Sequence, residues 1–390
     1  MKALSFEGTG IEYFKIWIVN IFLTIITVGL YYPWAKVRNN RYLYANSTLE
    51  GRNFEYHATG KQLFIGYLIA MVLLIIYIAI ESVFPIGSAI LAIVFFAAIP
   101  WIIWRSLKFN LNMTSYSNVR FSFDGVLSGA YINFMLLPIA FFIALYAVPI
   151  IAAIFLPNAG SSSIIVITLL AIVLLTLSFY LFALMKKRNT SYLINGYRFG
   201  QGSFSTNLEV KPFALILLKS IGLSILLIFA LMLVISIVSY VTVGVAALST
   251  MMQDMSQNSE NGVNPTLLLI IFPLYLGFIF VSFIILAYSY TRQRTYIMAN
   301  SSLDEKINFA STLKAQSFAW VMSSNFIVIL LTFGLAYPWA KVRMTRLVLE
   351  NTLVDTSIGF DDYVSNKQQE QSSLGEQIGD AFDVDVGLGF

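Results

Sequence analysis

The sequence predicts a polytopic α-helical membrane protein with six full spans, two re-entrant segments, short cytoplasmic β-strands and internal repeats. Three observations carry this expectation. The 390 residues are 58% hydrophobic and 11% charged, with mean hydropathy +0.77, whereas a soluble chain carries roughly 25% charged residues. Six apolar runs, near 62–84, 86–104, 130–155, 164–185, 213–245 and 266–290, each reach the ~20 helical residues that cross a bilayer. The stretch Tyr32-Pro33-Trp34-Ala35-Lys36-Val37-Arg38 returns as Tyr337-Pro338-Trp339-Ala340-Lys341-Val342-Arg343. Asn20, Thr27, Gly29, Arg41 and Asn46 match Asn325, Thr332, Gly334, Arg346 and Asn351 at the same offset without a gap. Such a match signals an internal repeat.

The polar segments also recur. Each closes an apolar run with Arg or Lys, continues to an Asn and reaches a Phe-bearing stretch. The series runs from Arg41, Asn46 and Phe54 through exits at Lys108, Arg188 and Arg294 to Arg346, Asn351 and Phe360. Alternation in Asn53-Phe54-Glu55-Tyr56 and Arg120-Phe121-Ser122-Phe123 predicts half-buried strands. Phe6-Glu7-Gly8-Thr9-Gly10 at the start echoes Phe54-Glu55 and Thr59-Gly60. The chain therefore divides into five units. Residues 1–53 hold one re-entrant segment; 54–120, 121–198 and 199–308 hold two spans each; 309–360 hold the second re-entrant segment. An acidic, mobile tail is expected over 361–390. Isolated strands are unstable in water, so the segments near Phe6, Phe54, Phe121, Phe199, Phe309 and Phe360 should pair into one or two small sheets.

Charge sets the orientation. The connections near 85–88, 157–163 and 251–265 hold no Lys or Arg, while the opposite polar segments are basic. The positive-inside rule makes the basic side cytoplasmic. The borderline runs 14–32 and 318–337 lead into the two motif copies. If both spanned, Lys341, Arg343 and Arg346 would sit outside, against the rule. If both dip and return, every Lys and Arg stays on or near one face, which covered or water-lined backbone permits. Eight spans with inverted repeats remain the alternative.

The run from Thr27 to Arg38, the exit Asn46-Ser47-Thr48-Leu49-Glu50-Gly51 and the Phe-Glu and Thr-Gly pairs resemble the signature of the YjgN-like family. These are bacterial inner-membrane proteins built on a domain of unknown function. The resemblance covers the chain up to the acidic tail. It implies an inner-membrane location and no particular activity. The fifth unit departs from the first, with Met344-Thr345 in place of Asn39-Asn40.

Chemistry has few places to reside. There is no cysteine and one histidine, His57, which excludes a disulfide or a multi-histidine metal centre. No cofactor, catalytic group or nucleic-acid partner is expected, because no nucleophile and acid–base pair can be read. A helix from Trp34 would place Arg38 and Arg41 near Trp34 on one face, and Trp339, Arg343 and Arg346 repeat this. An indole with two guanidinium groups suits a phosphate, in a lipid headgroup or an anionic small molecule; an interfacial anchor is the plainer role. Asn20 and Asn325 sit mid-run, where they could line a pore or bond one helix to another. Two functions follow: a passive facilitator for a small polar or anionic solute, or a non-transporting module binding lipid headgroups or a protein at the cytoplasmic face.

Overall fold

The computed structural model describes residues 1–155, 161–243, 265–356 and 359–381. The connection expected at 85–88 is a reversal at Phe84 between two helices. Most of the other two expected connections, 157–163 and 251–265, lies outside the described residues.

Strand and helix pair alternate along the chain. Strands β1 (Lys2–Ala3) and β2 (Ser5–Phe6) lead into helices α1 (Gly10–Ile26) and α2 (Tyr32–Ala45). Strands β3 (Ser47–Leu49) and β4 (Arg52–Tyr56) lead to α3 (Gly60–Val83) and α4 (Pro85–Asn112). Strands β5 (Thr114–Tyr116) and β6 (Val119–Phe123) precede α5 (Leu127–Phe155), which holds a π-helical turn over Ile132–Leu136, and α6 (Ser161–Gly196). Strands β7 (Tyr197–Phe199) and β8 (Gly202–Thr206) precede α7 (Val210–Val243) and α8 (Pro265–Ala299). Strands β9 (Ser301–Leu303) and β10 (Ile307–Ser311) precede α9 (Ala315–Leu331) and α10 (Tyr337–Glu350), and β11 (Thr352–Val354) and α11 (Phe360–Ala381) finish the described chain.

Six helices, α3 to α8, are long and apolar enough to cross a membrane. Their surfaces are apolar all round and almost wholly exposed within the chain, as lipid-facing helices require. Several outrun the apolar stretches by two or three turns toward the sheet, so Lys108, Arg188 and Arg294 lie on helix rather than on connecting chain. The pairs α1–α2 and α9–α10 likewise start and end at the sheet but are much shorter. Thr27 and Thr332 accept the amides of Tyr31 and Ala336. Gly29 and Gly334, at φ +89 and +90, donate back to Thr24 and Ile329. Only glycine takes that backbone without cost, so the Thr and Gly shared by the two copies encode the reversal. The tips present Val28 and Phe333, 86% and 96% exposed.

The eleven strands form one antiparallel sheet in the order β1-β11-β10-β9-β8-β7-β6-β5-β4-β3-β2. Its two ends, β1 and β2, are separated in sequence by Leu4 alone, whose amide donates to Thr352. The sheet therefore curls into a nearly closed ring, which removes exposed edges. Hairpin turns at Glu50–Gly51, Ser117–Asn118, Gly200–Gln201 and Asp304–Lys306 link neighbouring units. The second helix of each pair packs on the first helix of the next, and α10 packs on α1. Strand side chains alternate with period two. Leu4, Leu49, Tyr116, Phe199, Leu303 and Val354 face the interior. Ser5, Thr48, Ser115, Arg198, Ser205 and Ser302 face outward, in the Ser5–Thr48, His57–Ser115, Arg198–Asp124 and Ser205–Ser302 pairs.

Two expectations are corrected. Phe360 does not open a strand; the last strand is β11, and Phe360 starts α11. Nor is the segment from 361 wholly a mobile tail. Phe360, Tyr363, Val364 and Lys367 recur at helical spacing and cover the turn end of the ring, with Val364 1% exposed in its core. Asp361 pairs with Arg52 at 2.9 Å, and Asp304 accepts from Tyr363 at 2.8 Å and pairs with Lys367 at 3.2 Å. Burial alone would raise the Asp304 carboxyl, but the Ser203 amide, Tyr363 and Lys367 hold it below its ordinary value.

Candidate functional site at the seam of the motif hairpins

Pro33 and Pro338 open α2 and α10, where a missing N–H costs nothing. The residues that follow reach in three directions. Trp34 packs on the next unit, 5.0 Å from the Phe64 ring, and Trp339 packs 5.0 Å from Phe14. Each indole lies against the glycine that opens the neighbouring helix. A Cβ on Gly60 would fall 2.2 Å from Trp34, and one on Gly10 would fall 2.2 Å from Trp339. Arg41 donates to Ala58 O at 2.9 Å, and Arg346 to Gly8 O at 2.9 Å and Phe6 O at 3.4 Å. Trp34 and Arg41 thus clamp unit two, while Trp339 and Arg346 clamp unit one.

Arg38 and Arg343 turn to their own units. Arg38 donates to Tyr31 at 3.1 Å and to Asn20 Oδ1 at 3.5 Å; Arg343 donates to Ser324 at 2.7 Å and to Asn325 Oδ1 at 3.4 Å. The amides of Asn20 and Asn325 donate across to Ala35 O and Ala340 O, and Asn20 also reaches Asn39 at 3.0 Å. The structure joins each Asn to its Arg, a link that spacing alone left unread. It does not gather Arg38 and Arg41 on one neighbour.

The two motif copies meet at a cavity of about 450 Å³ between α1, α2 and α10. Trp17 and Ile21 supply apolar wall, and Asn20, Asn39 and Asn40 supply amides. Lys36 and Lys341, at the same position in the two copies, both line it. Trp17 stacks on Tyr337 at 5.9 Å and so joins α1 to α10. Sequence reasoning passed over these two lysines because it followed the arginines. Their shared place in the motif was the available signal.

His57 Nε2 lies 2.7 Å from Ser115 Oγ and 3.5 Å from Glu55. Both partners meet the same ring nitrogen, and Ser115 is 1% exposed. A nucleophile needs one nitrogen for itself and the other for an orienting carboxylate, so this cluster is not built as a triad. Among the described residues, no group of three or more His, Cys, Asp or Glu could hold a metal.

Six spanning helices on a curled sheet define a multi-pass helical membrane protein. The chain belongs to the family described as "Bacterial protein of unknown function (DUF898)", whose model matches residues 1–381. It is 29% identical over 380 residues to the inner membrane protein YjgN of Salmonella typhimurium, covering 95% of this chain and 93% of that one. The inner membrane protein YjgN of Escherichia coli K12 is likewise 29% identical over 382 residues, covering 96% and 93%. No solved structure matches. The protein is thus a multi-pass protein of the bacterial inner membrane.

Proposed function

We propose that the protein binds an anionic lipid headgroup at the seam between its first and last helix pairs and is not a transporter or an enzyme. The observation that carries this is the convergence of Lys36 and Lys341 on one cavity with apolar and amide walls. Lysines near the membrane surface each add roughly 1 kcal/mol of attraction for anionic lipid. In this reading α1–α2 and α9–α10 are re-entrant, and the exposed tips Val28 and Phe333 sit in the acyl layer. Arg38 and Arg343 are bonded within their own hairpins, to Asn20 and Asn325, and act on the site through those amides rather than on the phosphate. Trp339 and Arg346 hold the seam together, and Trp34 and Arg41 hold unit one to unit two, rather than touch the ligand.

The facilitator reading needs a wet path. The space inside the sheet ring is lined by apolar side chains, and α11 covers its turn end, which favours lipid binding over conduction.

The test is the lipid retained on purification. Phosphatidylglycerol should be enriched over phosphatidylethanolamine on the wild type and lose that enrichment in the Lys36→Gln/Lys341→Gln double variant at unchanged expression. Equal enrichment on both proteins would refute the assignment, and protein-dependent solute flux in liposomes would restore the facilitator.

A further inference from the structure

The junction of units four and five holds a second polar pocket, of about 280 Å³, between α8 and the start of α9. Thr291, Arg292 and Thr295 line it from α8, and Ser311, Thr312 and Lys314 line it from the end of β10 and the connection to α9. No carboxylate lines it. Among the described residues neither cation forms an ion pair, and Arg292 lies over the Tyr288 ring at 5.8 Å. Arg292 follows the apolar run that ends at residue 290, which puts the pocket at the membrane surface on the sheet side.

Two residues of this pocket run against their local chemistry. Lys314 is the N-cap of α9 and gives it no side-chain cap. The first two units carry Thr9 and Thr59 there, which accept the amides of Glu12 and Gln62; the next two carry Val126 and Glu209. A cation is the wrong sign for a helix N-terminus, and the first-turn amides are left without that cap. Ser311 is 8% exposed, and its Oγ has no hydrogen-bond partner among the described residues. Native structures rarely leave such a group unanswered. Phe6, Tyr56, Phe123 and Thr206 hold the same position in the other units, so serine also opens space that a larger side chain fills elsewhere. An arginine nine residues before the outgoing strand recurs in every unit, as Arg38, Arg105, Arg188 and Arg343. Lys314 and Ser311 are particular to this junction. The hydroxyls of Thr291, Thr295 and Thr312 already donate to Ala287 O, Thr291 O and Asn351 Oδ1. The donors left for a ligand are therefore Arg292, Lys314, Ser311 and the first amides of α9.

We propose that this pocket binds a phosphate group, on a lipid headgroup or free in solution. Arg292 offers a planar fork and Lys314 a point charge. The amides at a helix N-terminus receive anions directly, and Ser311 Oγ donates a further bond. A bound anion between Lys314 and the helix end reverses the clash of signs, which accounts for a lysine at the cap. The pocket is several times the ~30 Å³ that one water occupies, ample for a five-atom oxyanion. This site is separate from the lysine cavity at the seam and does not depend on it.

The experiment uses the full chain in dodecyl maltoside, which carries neither phosphate nor charge. Radiolabelled inorganic phosphate and radiolabelled dihexanoyl phosphatidylglycerol are each titrated by equilibrium dialysis. Both are run on the wild type and on the Lys36→Gln/Lys341→Gln background, where the seam cannot supply the signal. Saturable binding should persist in that background. Saturation by inorganic phosphate assigns a free anion, and saturation by the lipid alone assigns a headgroup. Lys314→Thr restores the cap of the first two units, so it should raise the melting temperature and weaken binding about tenfold or more, as expected for a lost charged partner. Ser311→Ala should weaken binding about fivefold without lowering the melting temperature, because the free protein loses an unpaired buried hydroxyl. The proposal fails if neither probe saturates in the background variant, or if Lys314→Thr or Ser311→Ala binds as its parent does.

Discussion

The two motif hairpins repeat one sequence but meet their neighbours under different constraints. Trp34 and Arg41 clamp unit two, to which unit one is already joined through the β3–β4 turn. Trp339 and Arg346 clamp unit one across the junction between the two ends of the chain. No hairpin turn links the units there; β1 pairs with β11 over two residues. The same side chains therefore support a covalent joint in one place and replace one in the other. If the second clamp opens, the ring opens with it, and the loop to be closed is nearly the whole chain.

The largest expected effect tests that difference. Trp→Ala in a core costs about 3–5 kcal/mol; Trp34 is partly covered and Trp339 is 43% exposed, so their local losses fall below that range. Trp34, the more covered of the two, should lose at least as much local packing as Trp339, so any excess at Trp339 belongs to closure. Trp339→Ala should lower the melting temperature in detergent more than Trp34→Ala does. It should also raise amide exchange in β1 and β11, which Trp34→Ala should spare. Equal losses with unchanged exchange would mean that the strands close the ring without the clamp.

The comparison also separates what the sequence states from what only the folded chain shows. The duplicated motif, the spans and the Phe alternation of β4 and β6 were legible because each is a local pattern. Strands such as β3, β5 and β9 are three residues long, too short for a period to register. Closure through β1 joins residues at opposite ends of the chain, which no local pattern encodes. Helix α11 is different. Its Asp, Gln and Ser content suggested a tail, yet Phe360, Tyr363, Val364 and Lys367 carried helical spacing in plain view. Composition and periodicity point in opposite directions there, and the periodicity matches the fold. At the site, the Asn–Arg links needed helices to reverse at known residues, and the lysine pair needed the ring to close.

The α11 latch offers a second test of closure, because α11 touches Arg52 near the first turn and Asp304 in the last. Asp304→Asn should weaken its docking by about 2 kcal/mol, the scale of a charged hydrogen bond. The pH dependence follows from signs. The folded Asp304 carboxyl lies below its ordinary 3.8, so its contribution is complete above 3.8 and is lost as pH falls through the lower folded value. Lys367 is opposed by burial but raised above 10.5 by Glu370 and Asp304; its contribution is complete below 10.5 and fades only above the folded value. Amide protection of α11 should then be flat from about pH 5 to pH 9 and fall in stronger acid. A transition near neutrality would contradict this pairing.

The arginines give a smaller contrast. Arg346 spreads two donors over Phe6 O and Gly8 O, while Arg41 gives Ala58 O one bond. Lysine can replace a single donor but not a fork. Arg346→Lys should cost about 1 kcal/mol, and Arg41→Lys less than about 0.5 kcal/mol. Denaturation of the two variants side by side ranks them, and the reverse order would remove the distinction between the clamps.

The smallest effect lies where the copies differ in sequence. Asn20 donates to both Ala35 O and Asn39 Oδ1, whereas Asn325 has Ala340 O, and the residue matching Asn39 is Met344, which has no amide. Arg343 compensates by leaning on Ser324 where Arg38 uses Tyr31. Met344→Asn would give Asn325 the acceptor that Asn20 has. Polar bonds between helices in membranes average about 0.6 kcal/mol, so the substitution should stabilise by about that much and bind α9 to α10 more tightly. Met344→Leu, similar in size without an acceptor, should be neutral, because Met–Leu exchange conserves volume. The melting temperatures of the two variants decide the matter. If asparagine gains nothing over leucine, the Ser324–Arg343 bond already supplies what Asn39 supplies in the first copy, and the two hairpins are equally coupled by different side chains.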